Sequence, residues 1–171
     1  MLLHAPWLMS AEGWESLGNV SGVKTLPQGV EITAQRGKVR ISALSPNVIR
    51  VRYAPRGQFP PEYSFAVLPG AFPQAPTVRV QETADAVIVK TTTIQAEILR
   101  SPLRIMFLDA TGATISQDLP GSPVSFNGEA FRVWKSMPQD EHYFGLGDKA
   151  GPLDHRNIAF TMWNTDAFGW Q

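Results

Sequence analysis

Three segments in the first third of the chain alternate apolar and polar residues one by one. Gly29-Val30-Glu31-Ile32-Thr33-Ala34 is followed, after a turn at Arg36-Gly37, by Lys38-Val39-Arg40-Ile41-Ser42-Ala43. Asn47-Val48-Ile49-Arg50-Val51-Arg52-Tyr53 comes next, with Ile49, Val51 and Tyr53 on one face and Arg50 and Arg52 on the other. A period of two is the signature of a strand with one face in a core and the other in water. Similar segments follow at Thr77–Gln81, Ala86–Thr91, Thr93–Leu99, Leu103–Leu108 and Phe131–Lys135. Their recurrence at roughly 8–12 residues is the rhythm of an all-β sandwich or barrel. No stretch of helical length between Gly29 and Trp134 keeps a 3.6-residue period. That excludes a doubly wound α/β fold, which needs helices between its strands. The expected fold is all-β: an antiparallel sandwich of about a dozen strands in two sheets that bury each other's inner faces.

The rest of the chain is built to turn. Fourteen Gly and fourteen Pro among 171 residues leave little room for long helices. Residues 54–76 hold six of the prolines and read as loop, with a short strand expected at Tyr63–Leu68. Residues 1–28 read as an irregular segment with a helical turn around Ala11–Leu17. Asp109–Gly112 is a turn by composition. With no cysteine, there is no disulfide framework and no thiolate metal site. Fifteen basic residues balance fifteen acidic ones, so nucleic acid and anionic membranes are not expected partners. The amino terminus lacks a basic stretch before its apolar residues, and no apolar run approaches the ~20 residues of a membrane helix. A soluble, cytoplasmic protein is expected.

Chemistry-bearing groups are sparse. His4, His142 and His155 are the three histidines, and none has a metal-ligand spacing to another. A Gly-x-Ser-x-Gly elbow and a phosphate loop are absent; Gly145-Leu146-Gly147 lacks the third glycine and following helix of a dinucleotide motif. No catalytic residue, metal ligand or cofactor site is expected. Asp140, Glu141, Asp148, Asp154 and Asp166 gather toward the carboxyl end. All but Asp166 read as solvated loop carboxylates. Tyr143-Phe144-Gly145-Leu146-Gly147-Asp148-Lys149 reads locally as a tight turn. In Thr161–Trp170, the aromatics Trp163, Phe168 and Trp170 surround Asn164-Thr165-Asp166. Aromatic faces pack on sugar rings, and carboxylates and amides bind hydroxyls. Taken alone, the triplet reads better as an Asx-type turn flanked by packing aromatics.

The run Tyr143–Lys149, then Gly151-Pro152-Leu153-Asp154, then Thr161-Met162-Trp163-Asn164-Thr165-Asp166, resembles the end of the amino-terminal domain of family 31 glycoside hydrolases. Asn47–Arg52 is similar to an early strand of the same domain. The resemblance covers residues 29–171 and implies a galactose-mutarotase-like sandwich. It implies a following (β/α)8 barrel, outside this chain, that carries the two aspartates of a retaining α-glycosidase. The amino-terminal domain of that family lends one loop to the substrate. The resemblance places the loop's sugar-binding carboxylate at Asp166, with Trp163, Phe168 and Trp170 around it. Phe168 stands where some relatives carry a hydroxyl, and Asp148 where Glu is usual.

The expected organisation is an irregular segment 1–28, a sandwich 29–150, and a substrate-loop segment 151–171 leading to the barrel. By itself the fragment is expected to be inactive, and to self-associate or carry a mobile tail from about residue 150, because Trp163, Phe168 and Trp170 would be left uncovered. The alternative reading is a stand-alone carbohydrate-binding module. A weaker third is an aldose epimerase relative, which would need a positioned His and Glu.

Overall fold

The computed structural model describes residues 13–72, 74–147 and 151–162. It divides into two compact units, Met1–Ser136 and Met137–Gln171. Regular structure among the described residues is entirely β, in twelve strands. They are β1 (Glu15–Ser16), β2 (Val20–Leu26), β3 (Gly29–Ala34), β4 (Lys38–Ser45), β5 (Val48–Ala54) and β6 (Arg79–Glu82). The others are β7 (Ala86–Lys90), β8 (Ile94–Arg100), β9 (Leu103–Asp109), β10 (Thr114–Gln117), β11 (Ser125–Asn127) and β12 (Ala130–Arg132). Every pairing between them is antiparallel.

Two sheets form the sandwich, and both are meanders. One runs β2-β3-β4-β5 and the other β10-β9-β8-β7-β6. Alternation decides which face turns inward. In the first sheet Val30 and Ile32 of β3, and Val39 and Ile41 of β4, are sealed from solvent. Their partners are Val87 and Val89 of β7, Ala96 and Ile98 of β8, and Ile105 of β9, all in one continuous core. Each aliphatic side chain buried in this way contributes roughly 1.5–3 kcal/mol. A third sheet, β1-β11-β12, is small. Its Phe126 packs toward Tyr53 of β5, ring centroids 6.0 Å apart, and so joins the same core.

The outer face of the first sheet solves a charge problem. Arg40 and Arg52 stand directly opposite each other on β4 and β5. Like charges in register are unfavourable. Glu31, opposite Arg40 on β3, accepts from Arg40 Nη2 at 2.7 Å and from Lys38 Nζ at 3.1 Å. Those bonds, Arg40 first, hold the Glu31 carboxyl below its ordinary range. The Phe59 ring takes both guanidiniums on its face, at 4.4 Å from Arg40 and 5.4 Å from Arg52. Arg52 Nη2 also donates to the Pro60 carbonyl at 2.5 Å, and Arg50 pairs with Glu62. The proline-rich segment after β5 is thereby tied down over its own sheet.

Asp118, just past β10, is a buried carboxylate with every contact made within the sandwich. Its side chain is 1% exposed. Oδ2 accepts from the Ile105 amide at 2.8 Å, and Oδ1 pairs with Lys135 Nζ at 2.6 Å. The Asp118 amide returns a bond to the Ile105 carbonyl at 3.0 Å. One side chain thus joins β9 to the residues after β12. Burial, helped by the Asp118 charge, pushes the Tyr53 phenol above its ordinary range. At Gly29 (φ 154°) a β-carbon would lie 2.0 Å from the Ile41 carbonyl oxygen, so this strand start admits only glycine.

The sandwich matches the fold expected from the sequence; three local expectations do not survive. Residues 15–26 form β1 and β2 rather than an irregular segment with a helical turn. In Val20-Ser21-Gly22-Val23-Lys24-Thr25-Leu26 the register shifts between Val20 and Gly22, which breaks the alternation a strand would show. Tyr63–Leu68 is not a strand. It is mostly apolar, but it finds no partner edge among the described residues, and Phe65 is 95% exposed. Strands β10 and β11 were not anticipated, because four and three residues carry too little pattern.

Replacing Asp118 by Ala should leave the buried Ile105 amide without its side-chain acceptor and release Lys135 to water, and cost about 2 kcal/mol. Urea denaturation monitored by tryptophan fluorescence measures this; a loss under half a kcal/mol (~0.5) would mean that solvent replaces the carboxylate freely.

Candidate functional site

The residues expected to meet substrate, Trp163, Asp166, Phe168 and Trp170, lie outside the described residues, as does Asp148. The structure describes the chain that leads to them, residues 137–147 and 151–162 of the second unit. This stretch has no strand or helix. Its order comes from side chains.

Asp154 is the hub. Oδ2 lies 2.6 Å from His142 Nδ1. Oδ1 accepts from two backbone amides, Arg156 at 3.0 Å and Tyr143 at 3.2 Å. The Arg156 bond is the local Asx type, an Asp side chain bonding the amide two residues on. The other two reach eleven and twelve residues back in the chain. His142 is the first cause holding the Asp154 carboxyl down from its ordinary 3.8 to about 2, followed by the Arg156 amide. The His155 amide donates to the Tyr143 carbonyl at 2.8 Å, and Arg156 Nη1 donates to the Glu141 carbonyl. Residues 141–143 and 154–156 are therefore stapled side by side, closing the excursion between them.

Two aromatic contacts extend the staple. The His142 ring stacks on Phe144 at 6.3 Å and 22°. The buried His155 meets Phe160 edge-on at 4.8 Å. Within the excursion Gly145, Leu146 and Gly147 all have positive φ, of 86°, 64° and 86°. Leu146 pays a strain that glycine on either side does not. Desolvation, then the Glu141 side chain, raises the Tyr143 phenol.

Chemically, a carboxylate that orients an imidazole is two parts of a nucleophilic triad. No hydroxyl hydrogen-bonds the His142 ring among the described residues. Nor does any group of three or more His, Asp or Glu among them suit a metal ion. No helix of the described residues is long and apolar enough to cross a membrane.

A second feature lies on the first unit. Phe131, Val133 and Trp134 are exposed at 67%, 42% and 51%, and together with Arg132 they line a shallow recess. Leu119, also exposed, is tied to them by its amide bond to the Trp134 carbonyl at 2.9 Å. On β12 the Arg132 guanidinium lies over the Trp14 ring at 3.8 Å. These uncovered aromatics are distinct from Trp163, Phe168 and Trp170, the group expected from the sequence. A period-two reading of Phe131–Lys135 predicted one buried face, whereas β12 is exposed throughout. Asp154 was also missed as more than a solvated carboxylate. Its Asx bond was legible in Asp154-His155-Arg156, but its bonds to residues 142 and 143 were not.

Residues 38–171 match the family model of the glycosyl hydrolase 31 N-terminal galactose mutarotase-like domain. Over 133 residues, 77% of this chain, the sequence is 28% identical to alpha-glucosidase 2 of Bacillus thermoamyloliquefaciens, of which the match covers 16%. Over 54 residues it is 35% identical to a probable alpha/beta-glucosidase of Arthroderma benhamiae, covering 30% of this chain and 6% of that one. The fold resembles that of a GH31 dextranase of Flavobacterium johnsoniae at a TM-score of 0.80 and 24% identity, over 90% of this chain and 19% of the other. It also resembles a GH31 alpha-xylosidase of Xanthomonas citri at 0.61 and 24%, over 74% and 15%. The chain thus spans less than a fifth of the length of each of these relatives.

A carboxyl held to about 2 in the folded chain favours folding fully above its unfolded value. That contribution disappears as pH falls from about 4 toward 2. Carbon-13 titration should find the Asp154 midpoint near 2, and His142→Ala should move it up toward 3.8. A midpoint unmoved by His142→Ala would show that the imidazole is not what holds the charge.

Proposed function

The chain belongs to the family of glycosyl hydrolase 31 N-terminal galactose mutarotase-like domains, and from that premise we propose that it is a non-catalytic domain of a retaining α-glycosidase. In this reading it supports the catalytic barrel and lends that barrel one substrate-contacting loop. The observation that carries the reading is the run of motifs from Tyr143 to Asp166 at the end of the sandwich, inside the span matched by the family model. Relatives of several times this chain's length, among them an alpha-glucosidase, support it.

Asp166 supplies the loop's hydrogen-bond acceptor for sugar hydroxyls, and Trp163, Phe168 and Trp170 shape the pocket around it. An anionic acceptor gives a charge-assisted bond, stronger than a neutral one. The nucleophile and the acid/base come from the barrel. Phe131, Val133 and Trp134 offer the barrel an apolar face of the kind an interdomain contact buries.

Joined to its downstream sequence, the protein should hydrolyse α-glucosides, and Asp166→Ala should cut kcat/KM by about ten- to a hundredfold. The isolated chain should hydrolyse nothing. Unchanged kcat and KM in Asp166→Ala would remove the loop assignment. Tight sugar binding by the isolated chain, abolished by substitution of Trp163 or Trp170, would favour a binding module instead.

A further inference from the structure

We propose that Asp154 is a positioning residue for the substrate loop, a role that rests on the reading of Asp166 as the loop's sugar-binding carboxylate. It acts as the pin at which the chain entering that loop is fastened. Asp166 follows Asp154 by twelve residues. Asp154 sets the chain's course at the start of that interval. Both of its oxygens are engaged, by the His142 imidazole and by the amides of Tyr143 and Arg156. The fastening continues downstream. Asn157 turns the chain through a positive φ of 62°, the Ile158 amide returns to the His155 carbonyl at 3.1 Å, and Phe160 packs on His155. Residues 154–156 are thus held against residues 141–143, and Ile158 and Phe160 are folded back onto His155.

The charged groups around the pin have a consistent arrangement. Asp154 faces His142 on the incoming strand of chain; Arg156, beside it, reaches back to the Glu141 carbonyl rather than to a carboxylate. The anion is matched by a cation-capable ring and by two amide dipoles, with no second carboxylate bonded at the hub. A neutral residue of the same size keeps one acceptor oxygen and loses the charge that gathers all three donors. The loop entry would then loosen without any change in the sandwich core. A loosened loop weakens substrate binding before it weakens bond cleavage, because the reacting carboxylates of the barrel are untouched.

The experiment uses the intact enzyme with its barrel and a p-nitrophenyl α-glycoside that it hydrolyses. Asp154→Asn should raise KM about five- to tenfold and change kcat less than twofold (~2), measured where circular dichroism shows the variant fully folded. Combined with Asp166→Ala it should add nothing further, since a misplaced loop and a loop without its carboxylate lose the same contact. Asp109→Asn is the control. Asp109 caps the β9–β10 turn with bonds to the Thr111 and Ala113 amides at 2.8 and 2.9 Å, a purely local role, and its loss should leave KM alone. If Asp154→Asn is not fully folded at the assay temperature, His142→Ala serves as the second variant, removing one donor of the three and raising KM by a smaller factor. Full additivity with Asp166→Ala overturns the proposal, as does an unchanged KM in Asp154→Asn beside an impaired Asp166→Ala. If Asp166→Ala is itself without effect, the loop reading fails and takes this inference with it.

Discussion

One apolar layer, shared between two meandering sheets, is what everything else in the sandwich depends on. Neither sheet is stable alone, since each has one face of Val, Ile and Ala that must leave water. The five strands β3, β4, β7, β8 and β9 supply most of that layer. The strands are short and their partners adjacent in sequence, so the pairing within each sheet is set by simple hairpins. Bringing the two sheets together is the long-range step. Tyr53 and Phe126 add the third sheet to the same layer rather than founding another.

That dependence explains how much could be read from the residues alone. Alternation in Val30–Ala34, Val39–Ala43 and Val87–Val89 states which side chains face inward, and the core obeys it. Where strands are stabilised by something other than a buried face, the pattern falls silent. Strand β12 pairs with β11 yet is exposed on both faces, and β10 leans on Asp118 at its end. Tyr63–Leu68 errs the other way, a mostly apolar run with nothing to pair against among the described residues. The candidate site divides similarly. Its aromatic and acidic composition was visible in the chain, and the family motif added the assignment of Asp166. The Asp154 staple was not visible, because a contact between residues 142 and 154 leaves no periodic trace.

Asp118 and Asp154 fasten distant backbone by the same chemistry in opposite settings. Each accepts one or two backbone amides with one oxygen and meets a basic side chain with the other. Asp118 is sealed, so its partners are fixed by the cost of leaving a buried charge unmatched. Asp154 is open to water and is held by the number of its donors.

The edges of the two sheets bear on how such a chain behaves at high concentration. Strand β5 closes one sheet with Arg50 and Arg52 pointing outward, and runs straight into the proline-rich segment held by Phe59 and Glu62. Strand β6 closes the other with four residues, shortly after Pro76. Charged, proline-flanked and brief edges are poor templates for a strand from another molecule. Amyloid-like stacking is thereby disfavoured at these two edges, which leaves β2 and β10 as the strand edges still open to a neighbour.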